Sequence, residues 1–336
     1  MKFTTLIAMG IAMAMVAACG DDGSGNGDDG GGTDAPPGDP PPDAPPDAKV
    51  IRTIFVIPLE NKDDVHIYGN TADAPYLNGM MASTAAHATM FGDELPSLPS
   101  EPHYVWMEAG TNAFADHTFT GDGDPSASNS TGATEHLATQ LEAAGLHWVA
   151  YQEGVRTNTC PISTSGNYAP KHDPFVFFRD IVGSPPSATA PRCSSHHKSY
   201  ADFAADLAQG LTGYIFVTPD ICHDMHGGFF CPSGTGDSSN IKAGDTWLSR
   251  ELPRIVSYTQ AHDDAVIFLT WDEGDSTSRI PFLAIGQHVK PGYAASVAYT
   301  HSSMLKSVEE LLGVPVLPAV ANATDFADMF EPGVFP

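Results

Sequence analysis

Carboxylates and imidazoles recur in this chain directly after runs of branched and aromatic residues. Glu60 and Asn61 follow the run over 50–57. Asp220, His223, Asp224 and His226 follow 214–218, and Asp272 and Glu273 follow 265–270. Mixed oxygen and nitrogen donors suit a divalent ion such as Zn, Mn, Fe, Mg or Ca better than they suit a thiolate-preferring one. A hydroxyl joins the set. Ser100 stands just before Glu101 and Pro102, residue types favoured in the first turn of a helix, so it is expected at or near an N-cap. Free amides at that end attract an anion, and a hydroxyl bound to a metal loses its proton more easily. Singly these signals are weak, because an Asp-Glu pair also ends strands, a His-x-x-His pair also sits on surfaces, and serine also caps helices. Jointly, after three separate apolar runs, they point to a metal-assisted hydroxyl nucleophile.

The elements that must position these groups can be read from the same pattern. Apolar runs over 50–57, 146–151, 214–218, 265–270 and 282–285 are continuous rather than alternating, as in strands buried on both faces. Helical patterns over 134–144, 200–209 and 301–312 each stop at a glycine, Gly145, Gly210 and Gly313. This alternation predicts an α/β class, a single-domain α/β sandwich with a central, mainly parallel sheet. Such sheets bind ligands beyond the carboxyl ends of their strands, where the acidic and imidazole groups fall.

Taken in order, these segments resemble the phosphoesterase family that includes bacterial acid phosphatases and phospholipases C, a branch of the alkaline phosphatase superfamily. Glu60-Asn61 resembles the family's metal-binding pair after the first strand. The run Pro99-Ser100-Glu101-Pro102-His103-Tyr104 is similar to its Pro-Ser-x-Pro-Asn-Tyr nucleophile segment, and Tyr168-Ala169-Pro170-Lys171-His172-Asp173-Pro174-Phe175 to its Tyr-x-x-Lys-His-Asn-Pro-Phe element. Thr218-Pro219-Asp220 with His223-Asp224-Met225-His226, Gly244-Asp245-Thr246-Trp247-Leu248, Thr270-Trp271-Asp272-Glu273-Gly274 and the closing Tyr299-Thr300-His301 helix with Glu309 and Gly313 match in register. The resemblance implies an alkaline phosphatase-like fold with metal held by Glu60, Asn61, Asp272, Glu273 and Ser100, and Ser100 as nucleophile through a phosphoseryl intermediate. It further implies that His172, His223, Asp224 and His226 bind phosphoryl oxygens, assist the leaving group or complete a second metal site. His103 departs from the pattern, standing where the family has Asn, and is expected to contact the substrate as a bulkier, titratable donor.

The rest of the chain bounds the setting. Residues 1–18 read as a lipoprotein export signal, with Lys2 before an apolar run that ends in small residues, and Val16-Ala17-Ala18-Cys19 resembles a lipobox, making Cys19 the expected lipidation site. Residues 20–48 hold only Gly, Pro, Asp, Ala, Ser, Asn and Thr and are expected to form a disordered tether. The body, 49–336, is expected to be one phosphoesterase domain, exported and anchored to a bacterial membrane through Cys19. Its four cysteines suit an oxidising compartment. Cys222 with Cys231 is the preferred local pair, leaving Cys160 with Cys193, although spacing leaves the connectivity open.

The net charge is −26; without Lys2 and the eight aspartates before residue 49, 14 basic and 33 acidic residues remain. That excludes a nucleic-acid partner, which needs a basic footprint. The expected substrate is a small-molecule or lipid-headgroup phosphate ester, most simply a monoester, and the chain is expected to act as a monomer. Two rivals stand beside this reading: a phospholipase C-type diesterase, and a non-catalytic, lipid-anchored metal-binding or interaction protein. A serine hydrolase of the Gly-x-Ser-x-Gly type is disfavoured by the lack of that elbow.

Overall fold

Strands β1 (Thr53–Leu59), β3 (Trp148–Gln152), β5 (Gly213–Thr218) and β6 (Ala265–Trp271) are buried at every position. A strand with no polar face needs cover on both sides, and helices supply it. The structure, a computed structural model, describes residues 49–156 and 159–336. The expected signal (1–18), the Cys19 anchor and the tether (20–48) lie outside the described residues.

Three further strands, β2 (Ala86–Ala88), β4 (His197–Ser199) and β8 (Ala294–Ala295), join these and β7 (Phe282–Gly286) in one sheet of order β4-β3-β5-β1-β6-β7-β2-β8. The five from β4 to β6 are parallel. β7 runs antiparallel to β6, β2 antiparallel to β7, and β8 parallel to β2. The fold is therefore α/β with a mostly parallel sheet. β1 begins later than its apolar run and continues through Pro58 and Leu59. The ladder to β5 ends at Val56, so Pro58, which has no N–H, meets only β6.

The helices are α1 (Asp64–Ile67), α2 (Pro75–Ser83), α3 (Ser100–Ala109), α4 (Leu137–Ala143), α5 (Arg179–Val182), α6 (Pro191–His196), α7 (Tyr200–Gln209), α8 (Asp237–Ala261) and α9 (His301–Leu312). Phe55 of β1 packs edge-on against Phe203 of α7 and Tyr258 of α8, whereas Phe216 of β5 packs against Tyr104 of α3 and Phe175. The core thus lies on both faces of the sheet. Helices α7 and α9 have the bounds read from the pattern, and α9 ends at Gly313 in the left-handed conformation, φ 71°. The helix expected over 134–144 is trimmed to α4, because His136 is its extended N-cap and buries its ring between Glu108 and Asp180.

Disulfides join Cys160 to Cys193 and Cys222 to Cys231. Among the described residues, no helix is long and apolar enough to cross a membrane.

Candidate active site

The carboxyl ends of β1, β5 and β6 are tied together by backbone bonds. The amide of Glu60 donates to the carbonyl of Asp224 at 2.7 Å, and that of Asp272 to Leu59 at 3.0 Å. Just past β1, Asn61 takes a left-handed turn at φ 44°, a conformation Asn tolerates better than most residues. The turn lets its backbone N–H reach Asp272 Oδ1 at 3.0 Å and its side-chain amide reach Glu273 Oε1 at 3.1 Å. Ser100 is the first residue of α3, after an extended Pro99. Its hydroxyl lies 3.0 Å from Glu60 Oε2 and 3.3 Å from Glu273 Oε1. One turn further along the same helix face, Tyr104 donates to Glu60 Oε1 at 2.5 Å and stacks on His172 at 5.2 Å. A hydroxyl has one proton to give, so Ser100 cannot satisfy both carboxylates as a donor.

The electrostatics of this cluster call for a cation. Glu60, Asp224 and Asp272 are fully buried. Burial pushes all three carboxyls up, and the charges of Asp272 and Asp224 push Glu60 further. Burial, then Asp272, raises Glu273 to about 8. Buried carboxylates without compensation are costly, and proteins meet the cost by protonation, pairing or metal coordination. Asn61 Oδ1, Asp224 Oδ2, Asp272 Oδ2 and His172 Nε2 are buried and have no hydrogen-bond partner among the described residues. His172 Nε2 stands 3.3 Å from Glu60 Oε2, and its Nδ1 3.3 Å from Asp224 Oδ2, distances without hydrogen-bond alignment. Burial, with Lys171 nearby, depresses His172 well below the ordinary imidazole range, leaving it neutral and fit to donate a lone pair. The candidate ligand atoms of Glu60, His172 and Asp224 lie within 4.8 Å of one another. Carboxylate oxygens, an amide oxygen and a neutral imidazole whose lone pairs are unmet form a donor set that fits a divalent cation.

Two cationic side chains border the carboxylates. Lys171 Nζ lies 2.7 Å from Asp122 Oδ2 and 3.5 Å from Ser100 Oγ. Burial pulls its pKa down, but Glu60 and Asp122 more than reverse this, so it stays charged. Asp122 Oδ1 also accepts the free amide of Glu101 at 3.1 Å, so this carboxylate spans the lysine and the start of α3. His103 donates from Nδ1 to the Pro99 carbonyl at 2.9 Å and faces Asp93 Oδ1 through Nε2 at 2.8 Å. Its burial acts downward, yet the bond to Asp93 and the charge of Asp272 hold it up at about 9.

Of the residues singled out in the sequence, Glu60, Asn61, Ser100, His172, Asp224, Asp272 and Glu273 converge here. His103 requires a correction: both ring nitrogens are engaged, which leaves none for a substrate oxygen. His223 requires another. Its Nδ1 lies 2.9 Å from Glu153 Oε2 and 3.4 Å from Asp220 Oδ1, and its ring faces Trp247, so it belongs to a separate acidic group and not to the Glu60 cluster. His226 is exposed at the rim, its ring 6.1 Å from that of His172. Four further residues belong to the site without a signal of their own in the sequence: Lys171, Asp122, Tyr104 and Asp93. Lys171 and Tyr104 sit inside motifs already noted, whereas Asp122 and Asp93 lie in loops without pattern.

Comparison with known proteins places the chain in a family. The sequence model of the Phosphoesterase family matches residues 70–315. The chain is similar to a phosphatidylinositol-3-phosphatase of Mycobacterium tuberculosis, 28% identical over 82% of each chain. It is also similar to a phosphate-repressible acid phosphatase of Penicillium chrysogenum, 28% identical over 66% of this chain; the match spans about half, 51%, of that relative's length. Among solved structures it shares its fold with murine ectonucleotide pyrophosphatase/phosphodiesterase 5 (12% identity, 83% and 100% coverage, TM-score 0.56). It also shares it with a protein in the alkaline phosphatase superfamily from Vibrio parahaemolyticus (13% identity, 83% and 70% coverage, TM-score 0.53). With the family's sequence pattern running through most of the domain and the carboxylates gathered at the strand ends, this chain belongs to the Phosphoesterase family.

Proposed function

We propose that this chain is a metal-dependent phosphoric monoester hydrolase in which Ser100 attacks phosphorus. The observation that carries the reading is the position of the Ser100 hydroxyl: first residue of a helix, 3.0 Å from a buried Glu60 oxygen and 3.5 Å from the Lys171 ammonium. Glu60, Asn61, Asp272 and Glu273, with Ser100, would hold the cation, and Glu60, His172 and Asp224 offer donors for a second. A divalent ion bound there neutralises the carboxylates and favours the ionised form of the serine hydroxyl.

The Ser100 hydroxyl gives up its proton to solvent, its Oγ forms the new bond to phosphorus as the bond to the ester oxygen breaks, and the departing alkoxide takes a proton from water. Water then breaks the phosphoserine bond, releasing inorganic phosphate and restoring the hydroxyl. Lys171 and the Glu101 amide, now shared by Asp122, are the donors a phosphoryl oxygen would take over, in keeping with a reaction that depends on positioning and charge neutralisation. His226, exposed at the rim with its ring 6.1 Å from that of His172, is the side chain assigned to assist the leaving group. His103 acts as a buried positive charge that positions the segment before α3 through Pro99 and Asp93. The name of the mycobacterial relative supports a phosphoinositide headgroup as substrate. Two disulfides suit an exported protein, with the lipid anchor at Cys19 part of the same proposal.

The test is a panel of a chromogenic monoester, a diester and phosphatidylcholine, each with and without chelator and with Ser100→Ala. Monoester turnover lost under both treatments is the expected result. Preferential release of a phosphorylated headgroup from phosphatidylcholine would instead establish a diesterase, and metal binding with no turnover on any ester would establish a binding protein.

A further inference from the structure

Phe229 and Phe230 are 87% and 89% exposed, and their rings meet edge to face at 5.2 Å. Such exposure of two adjacent aromatic rings is costly in water and marks a surface that is covered in use. Their loop is closed at its base by the Cys222–Cys231 disulfide and carries Asp224 of the candidate site and His226 at its rim.

The loop is braced below the rings. Gly227 N–H bonds the Ile221 carbonyl at 2.7 Å, Asn240 donates to the His226 carbonyl at 2.9 Å, and backbone bonds link Gly228, Cys231 and Gly234. Gly227 sits at φ 74°, where an added Cβ would lie 2.1 Å from the Asn240 side chain, so the turn that lifts the rings has no room for another residue. The two phenyl groups are thus held out on a braced loop that also carries Asp224 of the candidate site.

We propose that Phe229 and Phe230 form an interfacial anchor that inserts into a phospholipid surface and presents the Ser100 cluster to esters in that surface. Charge and area choose this occupant. In a chain of net charge −26, residues 225–236 contain no Asp, Glu, Lys or Arg, so the tip brings no ionised carboxylate to the lipid headgroups. Two phenyl side chains bury on the order of 400 Å², well short of the roughly 800 Å² per partner of a stable protein interface. A bilayer needs no matching surface and accepts a convex aromatic tip at the depth of its headgroups. The proposal takes from the phosphoesterase reading only that the loop borders the reacting site.

The full chain carrying Cys19→Ser, so that no acyl group contributes, is incubated with phosphatidylcholine vesicles and the bound fraction is measured by sedimentation. The Phe229→Ser/Phe230→Ser double variant is expected to lower vesicle partitioning at least about tenfold. Its thermal midpoint and its turnover of a soluble monoester are expected to match the parent. Equal partitioning of parent and double variant, or no partitioning of the parent, would overturn the proposal. So would concentration-dependent self-association that the double substitution abolishes, which would assign the rings to a second copy of the chain. Because partitioning and the thermal midpoint are read without any reaction, failure of the phosphoesterase reading would show separately, as absence of soluble-ester turnover.

Discussion

Lys171 is the one ammonium within reach of the Ser100 hydroxyl among the described residues, and its partners divide its work. Asp122 holds it at 2.7 Å, while Glu60 and Asp272 keep it charged despite its burial. A charged donor aimed at developing negative charge in a dry site is worth about two to three orders of magnitude in rate. Lys171→Met, which keeps the length and removes the charge, is therefore expected to lower kcat for a soluble monoester about 100-fold or more with the thermal midpoint little changed. A fall in midpoint with kcat retained would make the lysine structural instead. At this scale the sequence spoke through residue type: carboxylates and a serine are informative wherever they stand. It could not tell which way a ring turns. His103 in the Asn position looked like a substrate donor and is a buried cation between Pro99 and Asp93. His223 sits one residue before Asp224 and yet turns to Glu153, because neighbouring residues on a tight turn point apart.

Gly213 opens β5, the strand that leads to Asp224. Its φ is 90°, and a Cβ there would lie 2.0 Å from the His147 carbonyl oxygen, which is backbone and cannot swing aside. The close approach lets β3 and β5 begin side by side, with Tyr214 N–H bonded to that same carbonyl at 3.0 Å. Gly213→Ala is expected to cost about 3 kcal/mol, read as a lower urea midpoint, while the folded fraction keeps its turnover per molecule. An unchanged midpoint would mean that the strand start adjusts freely. Long apolar strands and the glycine-ended helices α7 and α9 were legible because each covers several periods of its pattern. β2, β4 and β8, of three residues or fewer, are shorter than any period that could reveal them. The direction of β7 was not legible either, since a strand buried on both faces reads the same parallel or antiparallel. Helix α8 was masked by Pro253 in its interior and by a weakly apolar sequence.

Across the whole molecule, an acidic chain gathers buried carboxylates at the carboxyl ends of its central strands and leaves several of their oxygens unmet. A cation that binds only the folded state stabilises it by mass action, about 2.7 kcal/mol at a concentration one hundred times its Kd. The thermal midpoint is thus expected to rise with added Zn, Mn, Fe, Mg or Ca, and Asp272→Asn, which keeps the bond from the Asn61 amide, is expected to lose most of that rise. No shift with any of these ions would count against the metal site. The convergence of three loops was legible from the rule that such sheets gather ligands at their strand ends. The edge-on sharing of Asp122 between Lys171 and the start of α3 was not, since it joins a glycine-flanked loop to a helix through space alone. The central claim, that Ser100 carries the phosphoryl group, is tested most directly by acid-quenching the metal-loaded chain during monoester turnover and locating any bound phosphate by peptide mass spectrometry. Phosphate is expected on the peptide that contains Ser100, at Ser100 itself. Full turnover by Ser100→Ala, or phosphate trapped on another residue, would contradict it.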